Sequence, residues 1–333
     1  MMRMIVVGAG PIGGIIGGRL ARQGNDLTLV DIDEEHVRAI RENGLKVEVP
    51  DGPFTVSVPA VLPGEIKGKF DIGFIATRCN YTRDVVGALK PYLNDNAILV
   101  SLQNGINPPI LEEVVGPDHA IGVCIRMRSR KPAPGHVMTA ARGRLYIGHM
   151  HGKTTPQLKT VHALLDAVIP TEIMDNIRGK LWSKLTYTCI GLFGSMADES
   201  VRNICATDVN RRLCVDFFGE IVAVGRAAGV RFEPLTEYDP ENFHPSRPFE
   251  KRLAAFNEAV GKWSTVDRKG PVSQLQRGVK TEIDQVVGFV VDNGTKLGVP
   301  TPVCRAVVNL IHEIEQGKRP LQLRNYTDLA AAA

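Results

Sequence analysis

Three glycines, Gly8, Gly10 and Gly13, stand in the pattern G-x-G-x-x-G (Gly8-Ala9-Gly10-Pro11-Ile12-Gly13), directly after the β-rich run RMIVV at 3–7 and before a run that suits a helix. In that context the residue types match a turn that cradles a pyrophosphate. Gly8 permits the tight bend, Gly10 lets backbone approach the anion, and Gly13 lets the helix pack on the strand. The helix start then offers free N–H groups and the positive end of its dipole. Asp31 closes LTLVD eighteen residues after Gly13, where a carboxylate can accept both ribose hydroxyls of an adenosine half. Such a carboxylate repels a 2′-phosphate by roughly 4 kcal/mol at about 4 Å and an effective dielectric near 20, before screening by solvent and salt. The expected dinucleotide is therefore NAD(H), favoured over NADP(H). Asp33 adds charge nearby, and no Arg or Lys follows the strand until Arg38. The other role open to Asp31 is a helix N-cap. Arg78, in ATRCN, fits either the cofactor phosphates or a solvated surface charge.

Other chemistry-bearing patterns are weaker. Arg126, Arg128 and Arg130 alternate, so on one strand all three share a face, either to attract an anion or as a solvated basic edge. His149-Met150-His151 holds two imidazoles with no Cys or carboxylate pattern beside them, so no metal is assigned. The six cysteines contain no C-x-x-C pair and are expected to be reduced core thiols, Cys189 included.

The elements that must position these groups can be read from periodicity. Strands are expected at 3–7, 27–30, 70–76 and 97–102, alternating with helices at 15–23, 36–42 and 82–93. That alternation means βαβ crossovers and a parallel sheet covered on both faces. Residues 121–149 look like further strands joined through Pro and Gly, extending the same sheet. After Pro170 the pattern turns helical, at 178–192, 208–228, 249–260, 276–297 and 303–316, with Gly298-Val299-Pro300-Thr301-Pro302 as a stop and restart. Residues 234–248 carry four prolines and form a loop, and Ala330–Ala333 is a tail with nothing to bury. The expected domains are 1–173 and 174–333. The 333 residues carry Lys+Arg 40 against Asp+Glu 36, a balance that gives no reason to expect nucleic acid. The densest apolar run, Val286–Val291, is far short of the roughly 18 residues of a membrane span, and the N-terminus lacks a secretory apolar region, so a cytoplasmic location is expected.

Four segments together resemble the ketopantoate reductase (2-dehydropantoate 2-reductase) family: VVGAGPIGG at 6–14, SLQNGI at 101–106, GKLWSKLTYT at 179–188, and KTEID at 280–284 followed by GVPTPV at 298–303. The resemblance covers nearly the whole chain. It implies an α/β fold with an N-terminal Rossmann doubly wound parallel sheet plus an all-helical C-terminal domain like that of 6-phosphogluconate dehydrogenases, with a cleft between them. It also implies a homodimer formed through the helical part. Carried onto matching positions, Lys184 is the general acid, Asn104 lies beside nicotinamide and substrate, and Glu282 orients the lysine, substrate or cofactor ribose. The cofactor-binding set becomes Gly8, Ala9, Gly10, Pro11, Ile12, Gly13, Asp31, Ile32, Thr77, Arg78, Gln103, Asn104 and Glu282. The chemistry agrees: when hydride reaches a carbonyl carbon, charge gathers on the oxygen, and an ammonium within reach can stabilise and protonate it.

The match departs from the family around the substrate. Thr188 stands four residues after Lys184 where an asparagine is usual, Leu192 stands at a second asparagine position, Gly270 replaces a serine and Gln274 an acid. The expected substrate contacts are Lys184, Thr188 and Gly270. Each polar substrate group left without a partner costs about 1–3 kcal/mol. The resulting expectation is an NAD(H)-preferring enzyme for a small 2-oxo acid and 2-hydroxy acid pair other than, or in addition to, ketopantoate. The alternatives are an NADPH-dependent 2-dehydropantoate 2-reductase, an imine or opine-type dehydrogenase, and a dinucleotide sensor without turnover.

Overall fold

A computed structural model describes residues 2–263 and 270–332, in two compact units, Met1–Arg178 and Gly179–Ala333. The first unit runs β1 (Met4–Val7), α1 (Pro11–Arg22), β2 (Leu27–Val30), α2 (Glu34–Asn43), β3 (Leu45–Glu48), β4 (Phe54–Val56), β5 (Ala60–Val61), β6 (Phe70–Ile75) and α3 (Thr82–Leu89). It continues with β7 (Leu93–Ser101), α4 (Pro108–Val115), β8 (Ala120–Arg126), β9 (Ser129–Ala133), β10 (His136–Thr139), β11 (Arg144–Gly148), α5 (Pro156–Asp166) and β12 (Thr171–Ile173). Eight strands form one sheet in the order β12-β11-β8-β7-β6-β1-β2-β5, parallel except where β11 meets β8. The chain winds outward from β1 first through β2 and β5, then through β6, β7 and β8, as a doubly wound Rossmann sheet does. Alternation along β1 sends Met4 and Val6 into the core under α1, and Ile5 into the core shared with α3 and α4.

Residues 121–149 do not all extend that sheet. β9 and β10 join β3 and β4 in a separate four-stranded sheet, ordered β4-β3-β10-β9. Helix α1 lies between the two sheets because its sequence GGIIGG presents glycine on two sides. A Cβ at Gly17 would sit 2.7 Å from Leu29 of the large sheet, and one at Gly18 would sit 2.8 Å from Val47 of the small one. The arginine stripe is corrected for the same reason. Arg126 ends β8 and Arg130 belongs to β9, so a strand break separates residues expected on one face.

The second unit is helical. Its elements are α6 (Ile177–Phe193, starting just before the boundary), α7 (Val201–Ile204), α8 (Asp208–Ala227), α9 (Phe249–Gly261), α10 (Gly270–Gln276), α11 (Phe289–Leu297), α12 (Pro302–Glu315) and α13 (Arg324–Ala332). The fully buried Phe217, Phe218 and Ile221 of α8 form part of its core. The stop and restart at 298–302 is present: Gly298 adopts φ +69° to end α11, and Pro302 opens α12. Glu220 then accepts from the N–H groups of Val303 and Cys304 at 2.8 Å each, and burial raises its pKa.

Two expectations change here. The single helix expected over 276–297 is broken, because Gly278 takes φ +65° and the chain becomes helical again only near Ile283, with a π turn over Asp284–Gly288 leading into α11. The alanine tail is not structureless, since Ala330–Ala332 complete α13 with exposed side chains. The proline segment 234–248 is a loop with one short 3₁₀ turn at Pro240–Phe243. The stretch KWSTVDRKGP at 262–271, which on its sequence looks like a reworked loop, falls largely on residues 264–269, outside the described residues.

Candidate active site

In the first unit, the expected cofactor residues stand at the carboxyl ends of four neighbouring parallel strands. Gly8 follows β1, Asp31 follows β2, Thr77 and Arg78 follow β6, and Gln103 and Asn104 follow β7. Because β1 and β6 flank the point where the winding reverses, the carboxyl-end crevice there is the place a doubly wound sheet offers a ligand.

The glycine turn is forced by sterics. Gly8 has φ +97°, and its N–H donates to the Val30 carbonyl at 2.7 Å. A Cβ on Gly13 would lie 2.0 Å from the Gly8 carbonyl oxygen. Around Gly10 there is open space, and no side chain caps the first turn of α1, where Pro11 removes one N–H. Free first-turn N–H groups facing open space fit a pyrophosphate. Ala9 is buried, Ile12 half-buried, and Ile32 is 83% exposed.

Asp31 is half-buried and accepts the Asp33 N–H at 3.0 Å. The N-cap of α2 is Asp33, which accepts from His36 N–H at 3.1 Å, so the capping role weighed for Asp31 belongs two residues later. Asp33 also pairs with Lys131 of β9 at 2.5 Å, and that hydrogen bond holds its carboxyl below the ordinary range. No inspection of neighbouring positions could find Lys131, which reaches this acid only because β9 belongs to the small sheet.

His36 was also missed. It is fully buried, accepts from the Gly135 N–H at Nδ1 (2.8 Å), and so carries its proton on Nε2, which donates to the Ala9 carbonyl at 2.9 Å. It thereby fixes the middle of the glycine turn to the β9–β10 connection. The signal available was a histidine at an apolar-face position of α2, beside Val37 and Ile40.

Gln103 is a buried brace. Its amide N–H groups face Thr82 Oγ1 at 2.9 Å, Arg78 O at 3.3 Å and Thr77 Oγ1 at 3.4 Å, tying the ends of β6 and β7 together. Asn104 is half-buried, and its carbonyl accepts from Asn107 Nδ2 at 2.6 Å. Arg78 is half-buried rather than a fully solvated charge.

In the second unit, Lys184 is half-buried on α6 between the buried Ser183 and Leu185. The proline-rich loop is fastened along the same helix. Lys180 Nζ donates to Pro234 O at 2.9 Å, Glu233 N–H donates to Ser183 Oγ at 3.0 Å, and Thr186 Oγ1 meets the buried Tyr238 hydroxyl at 2.8 Å. Thr188 is half-buried, with its hydroxyl turned back to the Lys184 carbonyl at 3.0 Å. Leu192 is only 2% exposed and belongs to the core. Cys189 is fully buried, and burial pushes its thiol pKa up. Gly270 begins α10.

Glu282 is half-buried just ahead of the π turn, and its carbonyl accepts from Val286 N–H at 3.0 Å. Its neighbours anchor it to α12. Thr281 donates through both N–H and Oγ1 to Glu315 Oε1 at 2.7 Å, and His312 Nε2 meets Asp284 Oδ1 at 2.9 Å. The i, i+3 match between 281/284 and 312/315 is a helix-face signal, but only a known partner element makes it readable.

The two histidines near 150 have structural roles. His149 is fully buried between Ala120 O and Thr155 Oγ1, both at 2.8 Å, while His151 pairs with Asp118 at 3.0 Å. Thr155 in turn caps α5.

Comparison with known proteins agrees with this architecture. The family model for ketopantoate reductase PanE/ApbA matches residues 4–152, and that for its C-terminal region matches 176–315. The 2-dehydropantoate 2-reductase of Mesorhizobium japonicum is 26% identical over 341 residues, covering 94% of this chain and 98% of the relative. A PanE/ApbA family ketopantoate reductase from Ralstonia eutropha JMP134 superposes with TM-score 0.81 at 27% identity, covering 95% of this chain and 99% of that one. D-mandelate dehydrogenase, solved with NADH and anilino(oxo)acetate, shares the fold at TM-score 0.79 and 19% identity, with coverage of 95% and 99%. Both halves of the chain thus match the two parts of one enzyme group in order, and the chain belongs to the ketopantoate reductase family of NAD(P)-dependent oxidoreductases.

Proposed function

We propose that the protein is an NAD(H)-preferring oxidoreductase that interconverts a small 2-oxo acid and its 2-hydroxy acid, with Lys184 as the general acid. The observation that carries this is the alignment of Gly8, Asp31, Thr77, Arg78, Gln103 and Asn104 at the carboxyl ends of four adjacent strands, in a chain whose other half matches the family's C-terminal region and holds Lys184 half-buried on α6. When bound, a nicotinamide supplies or accepts the hydride. The first-turn N–H groups of α1 hold the pyrophosphate and Asp31 accepts from the ribose. Lys184 gives its proton to the substrate oxygen as charge develops there, and Glu282 orients that ammonium or the substrate hydroxyl. Asn104 donates to the substrate or the carboxamide beside it. The protein acts as a homodimer, which light scattering on the purified chain tests, and in the cytoplasm, which cell fractionation tests.

The substrate is a 2-oxo acid other than, or besides, ketopantoate. Leu192 is buried and the Thr188 hydroxyl bonds its own helix, so neither reproduces an amide reaching toward a polar substrate. A second reading, NADPH-dependent 2-dehydropantoate 2-reductase, draws on Lys131 beside Asp33 and on the activity named for the Mesorhizobium relative. A panel of keto acids with NADH and NADPH in parallel decides between them. It should include ketopantoate and aryl-bearing 2-oxo acids that have a ketone where the anilino(oxo)acetate held by the mandelate enzyme has an amide. The expected result is faster turnover with NADH and a non-ketopantoate acid. Equal or better rates with NADPH and ketopantoate support the second reading. Turnover only when an amine is added indicates an imine reductase, and NADH binding without oxidation indicates a sensor.

A further inference from the structure

At the far end of α1 from the glycine turn, a cavity of about 320 Å³ opens among Arg19, Arg22, Gln23, Asp51, Phe54 and Val168. Twelve residues at about 1.5 Å rise put this end roughly 18 Å from the helix start. The volume is at the small end of the range typical of ligand sites. Two guanidinium groups of the lining, Arg19 and Arg22, stand there with one carboxylate, Asp51, which a third arginine from outside the lining, Arg142, also reaches. Arg19 lies 3.6 Å from Asp51, Arg142 lies 2.9 Å from the same acid, and Arg22 is stacked with its guanidinium carbon 4.5 Å from the Phe54 ring centroid. Arg19 and Gln23 spend donors on the carbonyls of Val168 and Ala167, at the end of α5.

A helix C-terminus accounts for basic residues in its last turn. It does not account for an arginine whose side chain is only 12% exposed, or for two arginines, Arg19 and Arg142, on the single acid Asp51 with Arg22 acting on Arg19 beside them. Burial lowers the Arg19 pKa, Asp51 raises it, and Arg22 and Arg142 lower it further, so the cavity concentrates positive charge that a single acid does not neutralise. Arg22 makes no hydrogen bond or ion pair among the described residues, and its stacking on Phe54 holds the planar fork in place at the cavity. Val49, Phe54 and Val168 add an apolar wall.

We propose that this cavity binds a small organic oxyanion, an acid group on a compact apolar body, with Arg22 reading the acid and Phe54 the apolar part. The planar fork suits a carboxylate or phosphate head bidentately. The site is separate from the nucleotide turn and does not depend on the proposed activity.

The test is calorimetric titration of the full chain, with saturating NADH present, using benzoate, phenyl phosphate and inorganic phosphate as probes. Benzoate or phenyl phosphate is expected to saturate in the millimolar range or tighter, and inorganic phosphate to bind more weakly because it leaves the apolar wall uncovered. Arg22→Gln, at an exposed position, should weaken the aryl probe at least tenfold, and Phe54→Leu should narrow its advantage over inorganic phosphate. NADH oxidation and the thermal midpoint without probe should stay unchanged in Arg22→Gln. Absence of saturation by every probe, or binding that Arg22→Gln leaves intact, overturns the proposal. Binding lost when NADH is added places the probe at the nucleotide site and overturns it equally.

Discussion

The phosphate turn of the first unit and the Glu282 segment of the second are held by opposite means. The turn keeps its shape because side chains at its two ends would collide with backbone: a Cβ on Gly8 meets Ala76 at 2.8 Å and one on Gly13 meets the Gly8 carbonyl at 2.0 Å. Residues 281–284 keep theirs because side chains reach them from α12, through Glu315 and His312. A site held by close backbone packing tolerates no added atoms where the packing is tight, as at Gly13, whereas one built from long-range polar contacts tolerates changes of shape but not loss of a partner. The first can be written in six consecutive residues, and the second needs a fold to assemble it.

The largest expected effect breaks the second unit's part in the chemistry. Lys184→Ala should lower kcat by about 10²–10⁴-fold in steady-state assays while NADH affinity, followed by fluorescence titration, stays the same. An unchanged kcat removes the lysine from the mechanism. Next, Gly13→Ala should cost about 1–3 kcal/mol or more in urea unfolding, because the clash is with backbone and cannot be relieved by a rotamer. Gly10→Ala sharpens the contrast. With nothing within 4 Å of its added Cβ, it should leave stability nearly intact and weaken NADH binding instead.

A smaller loss is expected from Glu315→Ala. Thr281 loses the acceptor of two bonds, which should cost about 1–3 kcal/mol of stability and lower kcat more than it changes KM. Restoration of kcat by Glu315→Gln marks positioning of the Glu282 segment rather than loss of charge. Smaller again, Asp33→Asn removes the acid partner of Lys131, and the ratio of kcat/KM for NADPH to that for NADH should rise by up to about tenfold, or 1.4 kcal/mol.

The smallest effect is on pH dependence. Burial lowers the pKa of His149 below its ordinary 6.5, so below that pH the unfolded chain binds a proton the folded one refuses. The first unit's stability should be flat above pH 6.5 and fall as pH drops below it, and hydrogen exchange resolved by unit should show this slope weakened in His149→Gln.

Much of the first unit was open to inspection before any coordinates. The glycine turn, the β2 acid and the βαβ alternation are local patterns, and local sterics realise them. What escaped was the small sheet, whose strands are short, lie far apart in the chain and are interrupted by Pro and Gly. With it escaped Lys131 on Asp33, His36 under the glycine turn, and the separation of Arg126 from Arg130. In the second unit helix periodicity located most elements, but periodicity is blind to Gly278 at positive φ, so the helix expected from Gln276 starts only near Ile283.

The amino-acid order alone therefore determined the family and the glycine turn, and it singled out the lysine proposed to react, because each is carried by residue types at short fixed spacing. Tertiary structure alone decided which groups brace them, from His36 and Gln103 in one unit to Glu315 and His312 in the other, and it alone assembled the arginine-lined cavity behind α1. Hydrogen bonds and ion pairs act over a few ångströms, and only folding brings residues distant in the chain that close.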